Sequence, residues 1–180
     1  MTRNKKLRLL VTKECFNDCP QCCNKNFDLD LIPIVDRFDY EEINITSGDP
    51  MKNPHALLAI VTAFKTIGVE CYDHLPLVYV YTSRLFWADL PDLLARGGVD
   101  GFTVTPHSDA DIRIFKKLNY FLQKTEYKGL TNFCSLRLNL FPDVKAKLEG
   151  ENLELWLVKE VDWRDNCPVP EGEDLRRINW

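Results

Sequence analysis

Hydrophobic and polar residues alternate in six short stretches of the chain, and this period of two is typical of β-strands. In the first stretch, Leu7, Leu9 and Val11 alternate with mostly polar neighbours. The second stretch lies around Ile43 and Ile45. Four further strands are predicted over 77–82, 99–105, 134–140 and 153–158.

Between these strands, apolar residues recur at the spacing of amphipathic helices. One helix is predicted to begin at Asn53 and Pro54, a capping residue followed by the proline that a first helical turn tolerates, and to end at Gly68. Other helices are predicted over 85–96, which contains Pro91, and from 108 or 109 to about 124, with a short imperfect helix over 27–38. The third of these helices should bury Ile112, Phe115, Leu118 and Leu122.

Strands that alternate with helices predict a single α/β domain with a parallel sheet. A closed barrel needs eight strands and about 250 residues, and this chain has 180 residues. We therefore expect an open (βα)6 partial TIM barrel with a curved sheet, formed by 1–160. Residues 161–180 are polar with little periodicity and are expected to form a partly ordered tail. A ligand site should lie at the carboxyl ends of the strands.

Composition limits the protein's surroundings and partners. The chain is 45% apolar and 28% charged, as in ordinary globular proteins. It contains no uninterrupted apolar run of membrane-spanning length, and 1–6 lack the apolar stretch of a secretory signal. We expect a cytoplasmic protein. A net charge of −4 argues against broad nucleic-acid binding, which requires clustered Lys and Arg.

Four of the seven cysteines lie in one short stretch after the first strand. Cys15, Cys19 and Cys22 have C-x3-C-x2-C spacing, and three thiolates on so short a loop can hold one soft metal centre. A 4Fe–4S cluster held by three cysteines keeps one iron open for another ligand. The spacing therefore predicts a three-cysteine iron–sulfur site.

Other uses of these cysteines fit the sequence less well. A structural zinc site usually has a second ligand pair at a distance, whereas Cys71, Cys134 and Cys167 stand singly. A disulfide framework is disfavoured because seven cysteines is an odd number and no secretory signal precedes them. If Cys23 were a fourth cluster ligand, the protein would be an iron–sulfur electron carrier or a structural iron–sulfur protein, and this alternative stays open.

The cysteine spacing resembles the signature of the radical S-adenosylmethionine (radical SAM) superfamily. A second motif supports the resemblance: Ser47, Gly48, Asp49 and Pro50 follow the second predicted strand and are similar to the superfamily's GGEP motif. The resemblance implies that Cys15, Cys19 and Cys22 hold a 4Fe–4S cluster, while the S-G-D-P loop binds the amino group of SAM. Reductive cleavage of SAM would then give a 5′-deoxyadenosyl radical that removes a hydrogen atom from a substrate.

The resemblance also suggests a second group of site residues at the ends of later strands. Thr82, Thr105, Arg137 and Asn139 are expected to contact SAM, and His107 is expected to be catalytic. Arg84 is interpreted as a solvated loop residue more readily than as a ligand-binding one.

The first half of the chain is similar to the activating proteins of anaerobic ribonucleotide reductase, on the segments CPQCCNKNF, INITSGDPM and VYVYTS. This similarity implies an electron donor such as flavodoxin or ferredoxin. It also implies a substrate that is a glycyl-radical-enzyme partner or a nucleotide-like small molecule. A non-catalytic interaction module, with the tail as its docking segment, is the remaining alternative.

Overall fold

The chain folds around one open sheet of seven parallel strands. The computed structural model describes residues 5–19, 22–26, 28–124, 129, 132, 134–162 and 169–179. The order of the strands across the sheet is β6-β5-β4-β3-β2-β1-β7. Their bounds are β1 Lys6–Leu10, β2 Glu42–Thr46, β3 Leu77–Thr82, β4 Gly101–Val104, β5 Ser135–Leu140, β6 Leu157–Glu160 and β7 Glu173–Arg177.

The predicted α/β class, the parallel sheet and its openness are confirmed, and the third strand has the predicted bounds. The predicted number of six strands is wrong, because a seventh, β7, pairs with β1 in parallel register. It lies within the predicted tail. An ion pair between Arg8 and Glu173 (2.8 Å) joins β1 to β7, and Tyr40 donates a hydrogen bond to Asp174 (3.0 Å). Polar side-chain contacts therefore help to attach β7 to the sheet, although this strand lacks an alternation of apolar and polar residues.

Helices cover one face of the sheet. Helix α1 is Pro54–Tyr72, α2 is Asp109–Leu122 and α3 is Pro142–Lys147. Asn53 caps α1 as predicted, accepting a hydrogen bond from the Ala56 backbone (3.0 Å). The buried side chains of α1 and α2 join one hydrophobic core with alternate residues of the strands. The four predicted inward residues of α2, Ile112, Phe115, Leu118 and Leu122, are all buried.

Three helix predictions need correction. Helix α1 continues past Gly68 to Tyr72. Gly68 does not end the helix but provides space for the segment that follows it, since a β-carbon at this position would lie 2.7 Å from the Pro76 side chain. The helix expected over 85–96 is only a short π-helix, Asp92–Arg96, with Gly97 N–H bonded to the Asp92 carbonyl (3.0 Å). In the helix expected over 27–38, only Leu29–Leu31 forms a 3₁₀ turn, and Phe27 lies outside the described residues.

Among the described residues, α1 is the one helix whose length and apolar composition would suffice to cross a membrane. Leu57, Val61 and Phe64 on this helix are buried in the core with the strands. Core helices of soluble proteins have the same length and composition. The fold is consistent with a soluble α/β protein, and the cytoplasmic location stays a prediction.

Candidate functional site

A cavity of about 330 Å³ lies between the carboxyl ends of the strands and the loop that carries Cys15, Cys19 and Cys22, called the cysteine loop below. Nine of the twelve predicted site residues line it. They are Cys15, Cys19, Cys22, Ser47, Gly48, Asp49, Thr82, Thr105 and His107.

The other three predicted site residues lie outside the lining. Pro50 is buried and begins the 3₁₀ turn Pro50–Lys52. Asn139 donates a hydrogen bond to the Thr105 hydroxyl (3.2 Å), so it contacts a residue of the cavity wall. The Arg137 guanidinium lies 4.6 Å from the centre of the Tyr79 ring. These three residues do not line the cavity itself, and their predicted contact with SAM stays a prediction.

The three thiols of the motif line the same cavity. Burial raises the pKa of the Cys15 thiol. Burial, followed by the neighbouring Cys15 and Cys22, raises the pKa of Cys19 to about 11. Burial, with a smaller effect of neighbouring charges, disfavours the thiolate forms of Cys15 and Cys19 in the free protein, and a bound metal would stabilise the thiolate forms.

Three thiols on one loop fit a 4Fe–4S cluster that keeps one iron open for another ligand, and they line one cavity. Within the part of the chain that the structure describes, no three His, Cys, Asp or Glu side chains are arranged to hold a metal ion. Binding of a cluster would require the cysteine loop to draw its sulfurs together. The side chain of Cys23 lies outside the described part of the chain.

A sharp turn after β2 packs directly on the cysteine loop. Ser47 and Gly48 both have positive φ, 73° and 48°, and the Asp49 N–H donates to the Glu14 carbonyl (2.7 Å). Only glycine fits at 48, since a β-carbon there would lie 2.1 Å from the Glu14 oxygen. The Ser47 hydroxyl is buried and has no hydrogen-bond partner among the described residues. A ligand in the cavity could provide that partner.

Replacing Gly48 by alanine should lower the free energy of unfolding by about 2 kcal/mol, because the new methyl group overlaps the Glu14 carbonyl and strains the backbone. Urea denaturation measures the loss. Gly150→Ala is the matched control: it also has positive φ (86°), but nothing lies within 4 Å of the added β-carbon. Equal losses in the two variants would contradict the predicted clash.

Asp49 connects this turn to the end of β3. Its carboxylate is 1% exposed. It accepts hydrogen bonds from the Thr82 hydroxyl (2.6 Å), the Ser83 hydroxyl (2.6 Å), the Ser83 N–H (2.8 Å) and the Met51 N–H (3.0 Å). With four protein donors, Asp49 holds the S-G-D-P turn in place, and Thr82 takes part in the same network. This structural role was not anticipated from the motif.

A second buried carboxylate, Asp111 at the start of α2, anchors the cysteine loop. It accepts hydrogen bonds from the side chain of Asn17 (2.8 Å), which lies between Cys15 and Cys19, and from the His107 (2.9 Å) and Ser108 (3.0 Å) N–H groups. Arg84 forms an ion pair with the same carboxylate. Burial opposes ionisation, but these donors outweigh it and hold the pKa of Asp111 below its ordinary value.

Arg84 is therefore not the solvated residue that the sequence suggested. Its side chain is 18% exposed, and its guanidinium lies 4.7 Å from the centre of the Phe16 ring. Phe16 also meets Phe86 edge to face at 6.1 Å. These contacts fix the middle of the cysteine loop against the segment that follows β3.

His107 lies on the cavity wall with its ring 5.4 Å from the ring of Phe141. Burial lowers the pKa of His107, against the opposing effect of Asp111 and Asp49. The imidazole is therefore neutral near pH 7 and able to accept a proton.

Sequence reasoning missed several other wall residues. The remaining lining residues are Arg8, Asn24, Thr46, Tyr81, Ser83, Phe141 and Asp162. Three of these residues, Arg8, Thr46 and Tyr81, lie at non-core positions of strands in which core and non-core residues alternate. This alternation could have predicted that they lie on the face of the sheet away from the core. Asp162 follows β6, and no local pattern indicates its position.

The chain was compared with known proteins. No family model matches it, and a search of curated proteins gives no match. The likeness to the radical SAM superfamily therefore stays a resemblance, carried by the cysteine spacing and the S-G-D-P motif.

Proposed function

We propose that this protein is a radical SAM enzyme. The observation that carries the proposal is that two motifs separated in the sequence line one cavity: the three thiols of Cys15, Cys19 and Cys22, and the turn at Ser47 and Gly48. The cavity lies where parallel α/β sheets bind ligands, at the carboxyl ends of the strands. Its volume of about 330 Å³ is within the range of small-molecule sites.

The residues of this chain have distinct tasks in the proposed enzyme. Cys15, Cys19 and Cys22 hold the 4Fe–4S cluster. The Ser47 hydroxyl, which has no hydrogen-bond partner in the described part of the chain, and the backbone of the turn bind SAM. Thr105, supported by Asn139, lines the same cavity. When bound, the cluster and SAM supply one-electron chemistry that removes a hydrogen atom from the substrate.

Other residues control protons and water. Neutral His107 accepts or returns a proton at the cavity wall, and its contact with Phe141 gives that wall an apolar side that excludes water. Asp49 and Asp111 act through other residues: they hold the turn and the cysteine loop at the cavity. An electron donor such as flavodoxin or ferredoxin, and a glycyl-radical-enzyme partner or a nucleotide-like substrate, complete the proposal.

The test is anaerobic reconstitution with iron and sulfide, reduction, and addition of SAM. We expect 5′-deoxyadenosine and methionine in equal amounts, measured by chromatography with mass detection. Omitting the reductant should abolish both products, because cleavage requires an electron. A protein that forms a cluster but neither binds nor cleaves SAM would contradict the proposal and favour the electron-carrier alternative, in which Cys23 is a fourth ligand.

A further inference from the structure

The face of the sheet opposite the helices carries polar and aromatic side chains. The pairing register places Arg8, Asn44 and Tyr79 side by side on β1, β2 and β3. One layer nearer the carboxyl ends, the register likewise aligns Tyr81, Thr103 and Arg137 on β3, β4 and β5. Since Arg8 and Tyr81 also line the thiol cavity, this polar face continues from the proposed site.

Two of the basic groups on this face are already neutralised. Lys6 pairs with Glu42 (2.9 Å), and Arg8 pairs with Glu173 (2.8 Å). The second oxygen of Glu42 accepts a hydrogen bond from the Asn44 side chain (3.0 Å). Both carboxylates therefore have their own donors.

Arg137 differs from these two residues. Among the described residues its side chain has no ion pair or hydrogen bond, although its charge helps to lower the pKa of Glu42, against the effect of burial and after the larger effects of the Glu42 hydrogen bonds. The guanidinium lies 4.6 Å from the centre of the Tyr79 ring. A stacked guanidinium keeps its N–H groups free at the edge, where a carboxylate or phosphate can accept two parallel hydrogen bonds.

Thr103, which pairs with Arg137 in the register of β4 and β5, provides a second observation in favour of a ligand beside Arg137. Thr103 is 3% exposed, and its hydroxyl has no hydrogen-bond partner among the described residues. It lies between Tyr81 and Arg137 in the register. A buried hydroxyl without a partner costs free energy, and an oxygen of a bound anion would satisfy it.

We propose that Arg137 and Thr103 bind the anionic group of the substrate, a carboxylate or a phosphate attached to a flat ring that packs near Tyr79 and Tyr81. This inference rests on the proposed function and specifies its substrate class. It assigns Arg137 to substrate recognition, whereas the sequence suggested contact with SAM.

The test is calorimetric titration of the full-length protein at low salt with benzoate, phenyl phosphate and the uncharged benzamide. We expect at least one of the two anions to bind, and benzamide to bind at least about tenfold more weakly. Arg137→Gln should weaken binding of that anion by at least about tenfold. Arg137→Lys should weaken it by less, because lysine keeps the positive charge but lacks the two parallel N–H donors of the planar guanidinium.

Arg113→Gln is the matched control, since it removes the same charge from an exposed position of α2 and should leave the affinity unchanged. Binding of neither anion, or equal affinity in the wild type and Arg137→Gln, would overturn the inference. The titrations need neither cluster nor SAM. A negative result in these titrations is therefore distinguishable from failure of the proposed function, because the proposed function is measured separately, by SAM cleavage.

Discussion

Replacing Cys19 by alanine should abolish binding of the proposed iron–sulfur cluster. With two of three thiolates left, we expect less than about a tenth of the iron bound by the wild type after anaerobic reconstitution, and no visible iron–sulfur absorption. SAM cleavage should disappear with the cluster. Iron analysis and absorption spectroscopy measure the effect, and Cys15→Ala and Cys22→Ala should behave in the same way.

The control for this experiment is Cys71→Ala, which removes an exposed thiol near the end of α1 and should leave the iron content unchanged. Cys23→Ala separates the proposal from its alternative: three-ligand binding predicts retained cluster and activity, whereas a four-thiolate electron carrier predicts loss of the cluster. Wild-type iron content in Cys19→Ala would exclude this residue as a ligand.

Replacing Asp111 by alanine should lower the free energy of unfolding by about 3 kcal/mol, because the partly buried Arg84 charge loses its fully buried partner. The side chain of Asn17 and two N–H groups also lose an acceptor. Urea denaturation measures the change. Freed from this anchor, the cysteine loop should also bind less iron.

The dependence on pH provides a second measurement of the same residue. The pKa of Asp111 is lower in the folded protein than its ordinary value of 3.8. Its stabilising contribution is therefore present above about pH 4 and is lost as the pH falls through the folded-state pKa. Asp111→Ala should consequently lose less stability between neutral and strongly acidic pH than the wild type.

Two variants test this interpretation of Asp111. Asp109→Ala removes an exposed carboxylate that pairs with Lys147 on the surface, and it should leave the urea midpoint almost unchanged. Adding Arg84→Met to Asp111→Ala should restore part of the lost stability, because the unpaired charge is removed. If Asp111→Ala were no more destabilising than Asp109→Ala, the buried ion pair would have no stabilising role.

The sequence predicted the part of the fold that depends on buried alternation. The alternating apolar residues of β1 and β2 are fully buried: Leu7, Leu9, Ile43 and Ile45. A one-residue shift in register would move these side chains to the other face of the sheet, so their alternation determines the register. The cavity-lining cysteines and the S-G-D-P turn were likewise indicated by local motifs.

The remaining features depend on contacts between distant residues. The sixth strand begins at Leu157 rather than Leu153, since Trp156 turns into the core and donates a hydrogen bond to Asn119 (3.0 Å). Strand β7 is formed through pairing with β1, and no pattern within 173–177 predicts that pairing. The ion pair of Arg84 and Asp111 joins residues whose partnership a single sequence does not show.

The place of β1 between β2 and β7 has a consequence for synthesis on the ribosome. Translation produces β1 long before β7, so one backbone edge of β1 lacks its native neighbour until 173–177 have been made. An exposed strand edge is a template for pairing with other chains. The nascent polypeptide therefore keeps an aggregation-prone edge open until β7 has been made, and chaperone binding near β1 would be most useful during that interval.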